Sequence, residues 1–119
     1  MTAQEIFDKA AVGLLTQKAK SYLVNPDGHE SMVCAYRGAN GKKCAAGFCI
    51  DDHTYIGNME KRSINKVIEI FELRNLIEHL DLLAPLQSIH DQVSIDNWKA
   101  ELLHLAKTKG LSTEKIDNL

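Results

Sequence analysis

The chain has 119 residues, 45% apolar and 25% charged, with 16 acidic against 14 basic residues and a formal net charge of -2. That length fits a single domain over residues 1–119 and buries enough surface for a core without disulfide or metal staples. The near balance of charge, spread evenly, disfavours a dedicated nucleic-acid binder, and no apolar run approaches the roughly 20 residues that cross a bilayer.

The first residues, MTAQEIFDKAA, carry acids and no signal-peptide core, and three cysteines is an odd number. Reduced thiols and a cytoplasmic location are therefore expected.

Thr2 and Glu5 have capping-box spacing, which predicts a helix starting at Ala3 with Ile6, Phe7, Ala10, Ala11 and Leu14 as its apolar stripe. It should fade near Lys20, ahead of the turn formers Asn25-Pro26-Asp27-Gly28.

Met32 to Arg37 has strand composition and runs into Gly38-Ala39-Asn40-Gly41, so the sequence predicts a small β-hairpin around residues 31–46. A three-residue loop with Gly41 in the left-handed conformation would pair Gly38 with Lys42 and put Cys34, Tyr36 and Cys44 on one face; a two-residue turn would separate the thiols. Residues 45–50 read equally as a strand or a short buried helix.

Ser63 caps a helical pattern through Ile64, Val67, Ile68 and Phe71, continued by Leu73, Leu76, Ile77 and Leu80 as a second short helix or a bend. Pro85 suits the first turn of the next helix, and Ser94 opens the last, with Trp98, Leu102, Leu105 and Ala106 as its stripe and Gly110 as its stop. The sum is an α+β domain, mostly helical, with four to five helices around one hairpin. The same periodicities serve a monomer or a homodimer packed through one helix stripe.

Three groups of residues carry candidate chemistry. Cys34, Cys44, Cys49 and His53 would complete a tetrahedral zinc set, but gaps of nine, four and three residues lack the paired knuckles that aim two ligands at one ion, and packed thiols are the preferred reading. Cys44 at a helix start, with His90 as base and Asp91 as orienter, would make a cysteine hydrolase or transferase. Adjacent helical residues point about 100° apart, however, so a structural His90-Asp91 tying its helix to a loop is preferred. Arg37, Lys42 and Lys43 flank the glycine turn and Lys61-Arg62 follow the next loop, so with Tyr36 and Tyr55 one edge could suit phosphate or carboxylate. Asp51, Asp52, His53 and Glu60 read as a solvated acidic loop. No motif calls for a cofactor.

The run from Cys34 to Ile50, CAYRGANGKKCAAGFCI, together with Tyr55, Met59-Glu60 and the later LQSIHD with Trp98, resembles a family of small proteins of tailed bacteriophages and prophages with the pattern CxYRGxxGxKCAxGxxI. Ala39 and Asp51 stand where that pattern favours proline. The resemblance marks Cys34, Tyr36, Arg37, Gly38, Gly41, Lys43, Cys44, Gly47, His90 and Asp91 and implies no reaction. By analogy with small phage proteins, the expectation is a non-enzymatic binder of a host protein or anionic small molecule that blocks a host or defence process. Its contacts would be the cations of the hairpin facing outward.

Overall fold

The structure, a computed structural model, describes all 119 residues. Five helices and one two-stranded antiparallel sheet make the mostly helical α+β domain. Helix α1 spans Ala3–Gln17: the Thr2 hydroxyl accepts from the Glu5 amide at 3.1 Å and the Glu5 carboxylate accepts from the Thr2 amide at 2.9 Å, so the capping box is closed. Its stripe of Ile6, Phe7, Ala10, Ala11 and Leu14 is buried, and it ends where Lys18 turns left-handed.

The hairpin is displaced from its expected place. Strand β1 is Tyr22–Val24 and β2 is Glu30–Cys34, with Tyr22 opposite Cys34 and Val24 opposite Glu30. Asn25-Pro26-Asp27-Gly28, expected only as a break, is thus the hairpin turn, closed by the Asn25 amide on the His29 carbonyl at 2.8 Å. Only Ser31–Cys34 of the expected hairpin fall in β2, and no residue after Cys34 is in a strand. The glycine turn does form: Gly41 is left-handed at φ 76°, and the Gly38 amide donates to the Lys42 carbonyl at 2.8 Å. One rung of pairing exists, and the ladder stops because residues 44–50 turn inward as a buried coil with a 3-10 turn at Ala46–Cys49.

The helical half follows its periodicity. α2 is Ile64–Ile70, α3 Arg74–Ile77, α4 Leu80–Gln92 and α5 Trp98–Lys109, the last entered through a 3-10 turn at Ile95–Asn97 and ended by left-handed Gly110. α4 begins earlier than expected, since the His79 carbonyl already accepts the Leu82 and Leu83 amides, and Pro85 sits inside it. An interior proline forfeits one ladder bond; burial of Leu82, Leu83 and Leu86 on one face offsets that loss. α1 packs on α4, α5 and the 3-10 turn at Ala46–Cys49, and their buried faces form one continuous apolar core with Trp98, Phe7 and Met59 among its largest fully buried side chains.

Candidate functional site

Residues 35–60 contain no α-helix or strand, so their backbone polar groups need partners from elsewhere. Five side chains supply them. The Glu60 carboxylate accepts from the Tyr36 amide at 2.9 Å, the Arg37 amide at 3.0 Å and the Tyr55 hydroxyl at 2.6 Å. The Gln17 amide group pairs with the Lys43 backbone in both directions, accepting at 2.9 Å and donating at 2.8 Å. The Ser21 hydroxyl donates to the Ala35 carbonyl at 2.8 Å, and the Gln87 oxygen accepts from the Ala46 amide at 2.9 Å.

Arg37 is the fifth. Its guanidinium donates to the Tyr36, Gly47 and Ile50 carbonyls and to Asp52, at 3.1, 2.8, 2.6 and 3.0 Å, and lies over the Tyr55 ring at 4.9 Å. Its planar fork satisfies three turns of chain at once, which a lysine cannot do. Gly47 makes this crossing feasible, because a Cβ there would stand 2.5 Å from the Tyr36 carbonyl oxygen.

The expected outward ledge of cations is therefore folded inward. Arg37 is committed as described, Lys43 pairs with Asp52 at 3.3 Å and Lys42 with Glu30 at 3.4 Å. These two cations hold the Asp52 carboxyl below its usual range, Lys43 first and Arg37 second. Tyr36 is buried, its hydroxyl donating to the Arg62 carbonyl at 2.7 Å, and Tyr55 is taken by Glu60. Burial raises both phenol pKa values. The physical reason is economy of partners: a loop of this length without a ladder draws in the nearest charged donors to satisfy its carbonyls.

His90 is fully buried and joins two segments, as the structural reading expects. The Ser21 amide donates to His90 Nε2 at 3.0 Å, so that nitrogen carries the lone pair, and Nδ1 carries the proton and donates to Asp91 Oδ1 at 2.7 Å. The neighbouring carboxylate thus does orient the ring, contrary to the angular argument. The nitrogen that a general base would use is occupied by Ser21. Cys44 is buried just ahead of the short 3-10 turn at Ala46–Cys49, and burial pushes its thiol up to about 12 despite the lowering by the Gln87 side chain and the Gly47 amide. The cysteine-enzyme triad of Cys44, His90 and Asp91 is not assembled.

Nor do Cys34, Cys44, Cys49 and His53 converge. Cys49 donates to the Ile6 carbonyl at 3.6 Å on the α1 side, and His53 is exposed beside Asp51. A different trio does meet, since ligand atoms of Cys34, His90 and Asp91 lie within 4.8 Å of one another. With Nε2 accepting from Ser21, Nδ1 must keep its proton, so the imidazole donates here and does not ligate. The Cys34 thiol, pushed to about 12 by burial and then by the Asp91 carboxylate, is a poor thiolate.

Cys34, Tyr36 and Cys44 do come together, along one wall of a cleft of about 650 Å³. Its other walls are residues 61–65 and the α4 side chains Ala84, Gln87, Ser88 and Asp91. Two cations at its rim, Lys61 and Arg62, are exposed, and neither enters any ion pair in the chain. The Arg62 Nε donates to the Asn58 carbonyl at 2.9 Å, which anchors the stem and leaves the other guanidinium nitrogens free. Lys61 stands at φ 64°, a left-handed backbone that costs a non-glycine residue about 1 kcal/mol. Lys61 and Arg62 belong to the cationic edge that the sequence predicts, whereas nothing in the sequence pattern assigns a role to Gln17, Ser21 or Gln87. Gln87 and Glu60 fall within the segments that carry the phage resemblance, and that was their one available signal. No helix is long and apolar enough to cross a membrane.

Against known proteins, the chain matches no protein family, no curated protein and no solved structure.

Proposed function

We propose that the chain is a small phage-type, non-enzymatic binding protein of the host cytoplasm. It engages a host protein or an anionic small molecule at the cleft between β2, residues 61–65 and α4, and thereby blocks a host process. The observation that carries this reading is a contrast in how cations are used: Arg37, Lys42 and Lys43 are paired internally, whereas Lys61 and Arg62 stand unpaired at a cleft rim in a protein of net charge -2. Unpaired cations beside a concave surface favour an anionic group on the ligand. The exposed Met32 and Val33 of β2 add apolar surface at the same cleft. Tyr36, Arg37, Lys42, Lys43 and Tyr55 then act by holding the loop that frames the cleft.

The test is the double variant Lys61→Glu, Arg62→Glu. Both residues are exposed, so the melting temperature should stay within a few degrees of wild type. Thermal-shift stabilisation by a panel of small anions, and capture of a host protein from lysate, should be lost together with those charges. Ligands that bind wild type and double variant equally would overturn the reading.

A further inference from the structure

Along the cleft between β2, residues 61–65 and α4, the hydrogen-bond acceptors are spent and the donors are not. The Gln87 oxygen accepts from the Ala46 amide at 2.9 Å, the Asn65 oxygen from the Ser63 hydroxyl at 2.6 Å, and Asp91 Oδ1 from the His90 Nδ1 proton at 2.7 Å. The Cys34 thiol donates to the same Asp91 carboxylate, and the Tyr36 hydroxyl is held by the Arg62 carbonyl at 2.7 Å. By contrast, the Lys61 ammonium, the terminal nitrogens of the Arg62 guanidinium and the Asn65 side-chain nitrogen have no acceptor in the chain. Lys61 holds its position on a left-handed backbone at φ 64°, and strained residues of this kind gather at ligand sites.

A concave surface of this composition selects a ligand that only accepts. Two adjacent cations without an internal counter-ion match two negative charges better than one. A phosphomonoester carries nearly two and offers three strong acceptor oxygens, one each for Lys61, Arg62 and Asn65. A carboxylate has one charge and two oxygens. Beside these donors lie the apolar side chains of Met32, 85% exposed, and Ala84, and the volume of about 650 Å³ accommodates a molecule larger than phosphate itself.

We propose that the ligand is a small phosphomonoester with an apolar or aromatic body, of about nucleotide size. Lys61, Arg62 and Asn65 hold its phosphate and Met32 covers its body. This rests on the cleft reading above and specifies the chemistry of the anion.

The experiment is calorimetry of the full chain at about pH 8, where a phosphomonoester is a dianion. The probes are phenyl phosphate, a nucleoside monophosphate, inorganic phosphate, phenyl sulfate, benzoate and a phosphoserine peptide. The two organic phosphates should bind about tenfold tighter than the sulfate and the benzoate, which have one charge each. Lys61→Gln, Arg62→Gln and Asn65→Ala should each weaken phenyl phosphate about tenfold while the melting temperature holds. Met32→Ser should weaken it several-fold and leave inorganic phosphate unchanged. The same cations also border a hollow on the far side of residues 61 and 62, lined by Asn58 and Glu60, so Asn58→Ala should change binding less than threefold.

Sulfate and benzoate that bind as tightly as phosphate, and are lost in the Lys61→Glu, Arg62→Glu variant, overturn the phosphate assignment and leave the cleft reading standing. So does a phosphoserine peptide that binds about tenfold tighter than any free ester, which would make the ligand a protein. If no probe binds, the phosphomonoester is overturned, and the cleft reading stands only if host-protein capture is lost in the double variant. Phosphate binding indifferent to that variant overturns both, as does binding that follows Asn58 and not Asn65.

Discussion

Residues 35–60 and residues 64–109 are stabilised by different physics. The second segment is helical, and it is held by apolar faces that are non-directional: Leu82, Leu83, Leu86, Trp98 and Leu102 contribute by volume and area. The first segment has no α-helix or strand, and five polar side chains at defined distances hold it: Gln17, Ser21, Arg37, Glu60 and Gln87. A face built on area tolerates a change of shape at constant volume. A loop built on directional bonds does not tolerate a change of donor geometry even when size and charge are kept.

That contrast is open to measurement. The largest expected loss is in the helical core, where Leu83→Ala should cost about 4 kcal/mol by leaving a cavity, and Leu83→Met less than about 1.5. Chemical denaturation checks both; a Met variant as damaged as the Ala variant would mean that core shape, and not volume, decides.

In the loop the order reverses. Arg37→Ala should cost about 3 kcal/mol, discounted for a side chain that is 17% exposed, and Arg37→Lys should recover less than half of it. Glu60→Gln, nearly isosteric, should still cost about 1–3 kcal/mol, since the new amide nitrogen cannot accept from the Tyr36 or Arg37 backbone. A conservative swap at either position that restores full stability would erase the difference between the two regions.

Alkaline pH gives a smaller, shared effect. Cys34, Cys44 and Cys49 each have thiols pushed up to about 12 by burial. The folded state therefore keeps protons that the unfolded chain releases, so the stability these thiols contribute is present below the unfolded thiol range and falls as pH rises from about 9 toward 12. Denaturation midpoints should decline over that window. In the native protein at pH 8, a maleimide should react slowly with half-buried Cys34 and more slowly still with Cys44 and Cys49, and rapid labelling of Cys44 would contradict its buried, protonated state.

The smallest effect has the opposite sign. Lys61→Gly removes a side chain from a left-handed backbone and should stabilise the fold by about 1 kcal/mol, while weakening whatever anion the cleft binds. Greater stability with weaker binding would make Lys61 a residue retained at a cost to the fold; unchanged binding would reduce it to a turn position.

The legible part of the molecule is the part governed by local rules. Thr2 and Glu5 announced α1, Gly110 announced the end of α5, and the stripes of α1, α2 and α5 are buried as their spacing requires, because capping and 3.6-residue periodicity act between residues close in sequence. Composition placed a strand at Met32–Arg37, of which Met32–Cys34 lie in β2, and its partner was not visible. Asn25–Gly28 and Gly38–Gly41 are both competent turns, and the choice between them depends on which neighbour the rest of the fold leaves beside the strand.

The candidate site straddles that division: a cationic edge including Lys61-Arg62 follows from spacing, and what each of its side chains is bonded to does not. The cationic residues near the glycine turn were evident from spacing, but whether a guanidinium points to solvent or to carbonyls is decided by contacts 10 to 15 residues away, those of Arg37 with Gly47, Ile50 and Asp52. The same holds for His90, whose tautomer is set by a Ser21 amide 69 residues distant. Sequence alone determined the helices, the thiol-rich centre and the likeness of composition to a strand. Tertiary structure decided which polar groups are consumed in holding the chain and that Lys61 and Arg62 stay unpaired at the cleft, because hydrogen-bond partners are assigned by the distance between atoms and not by their separation along the chain.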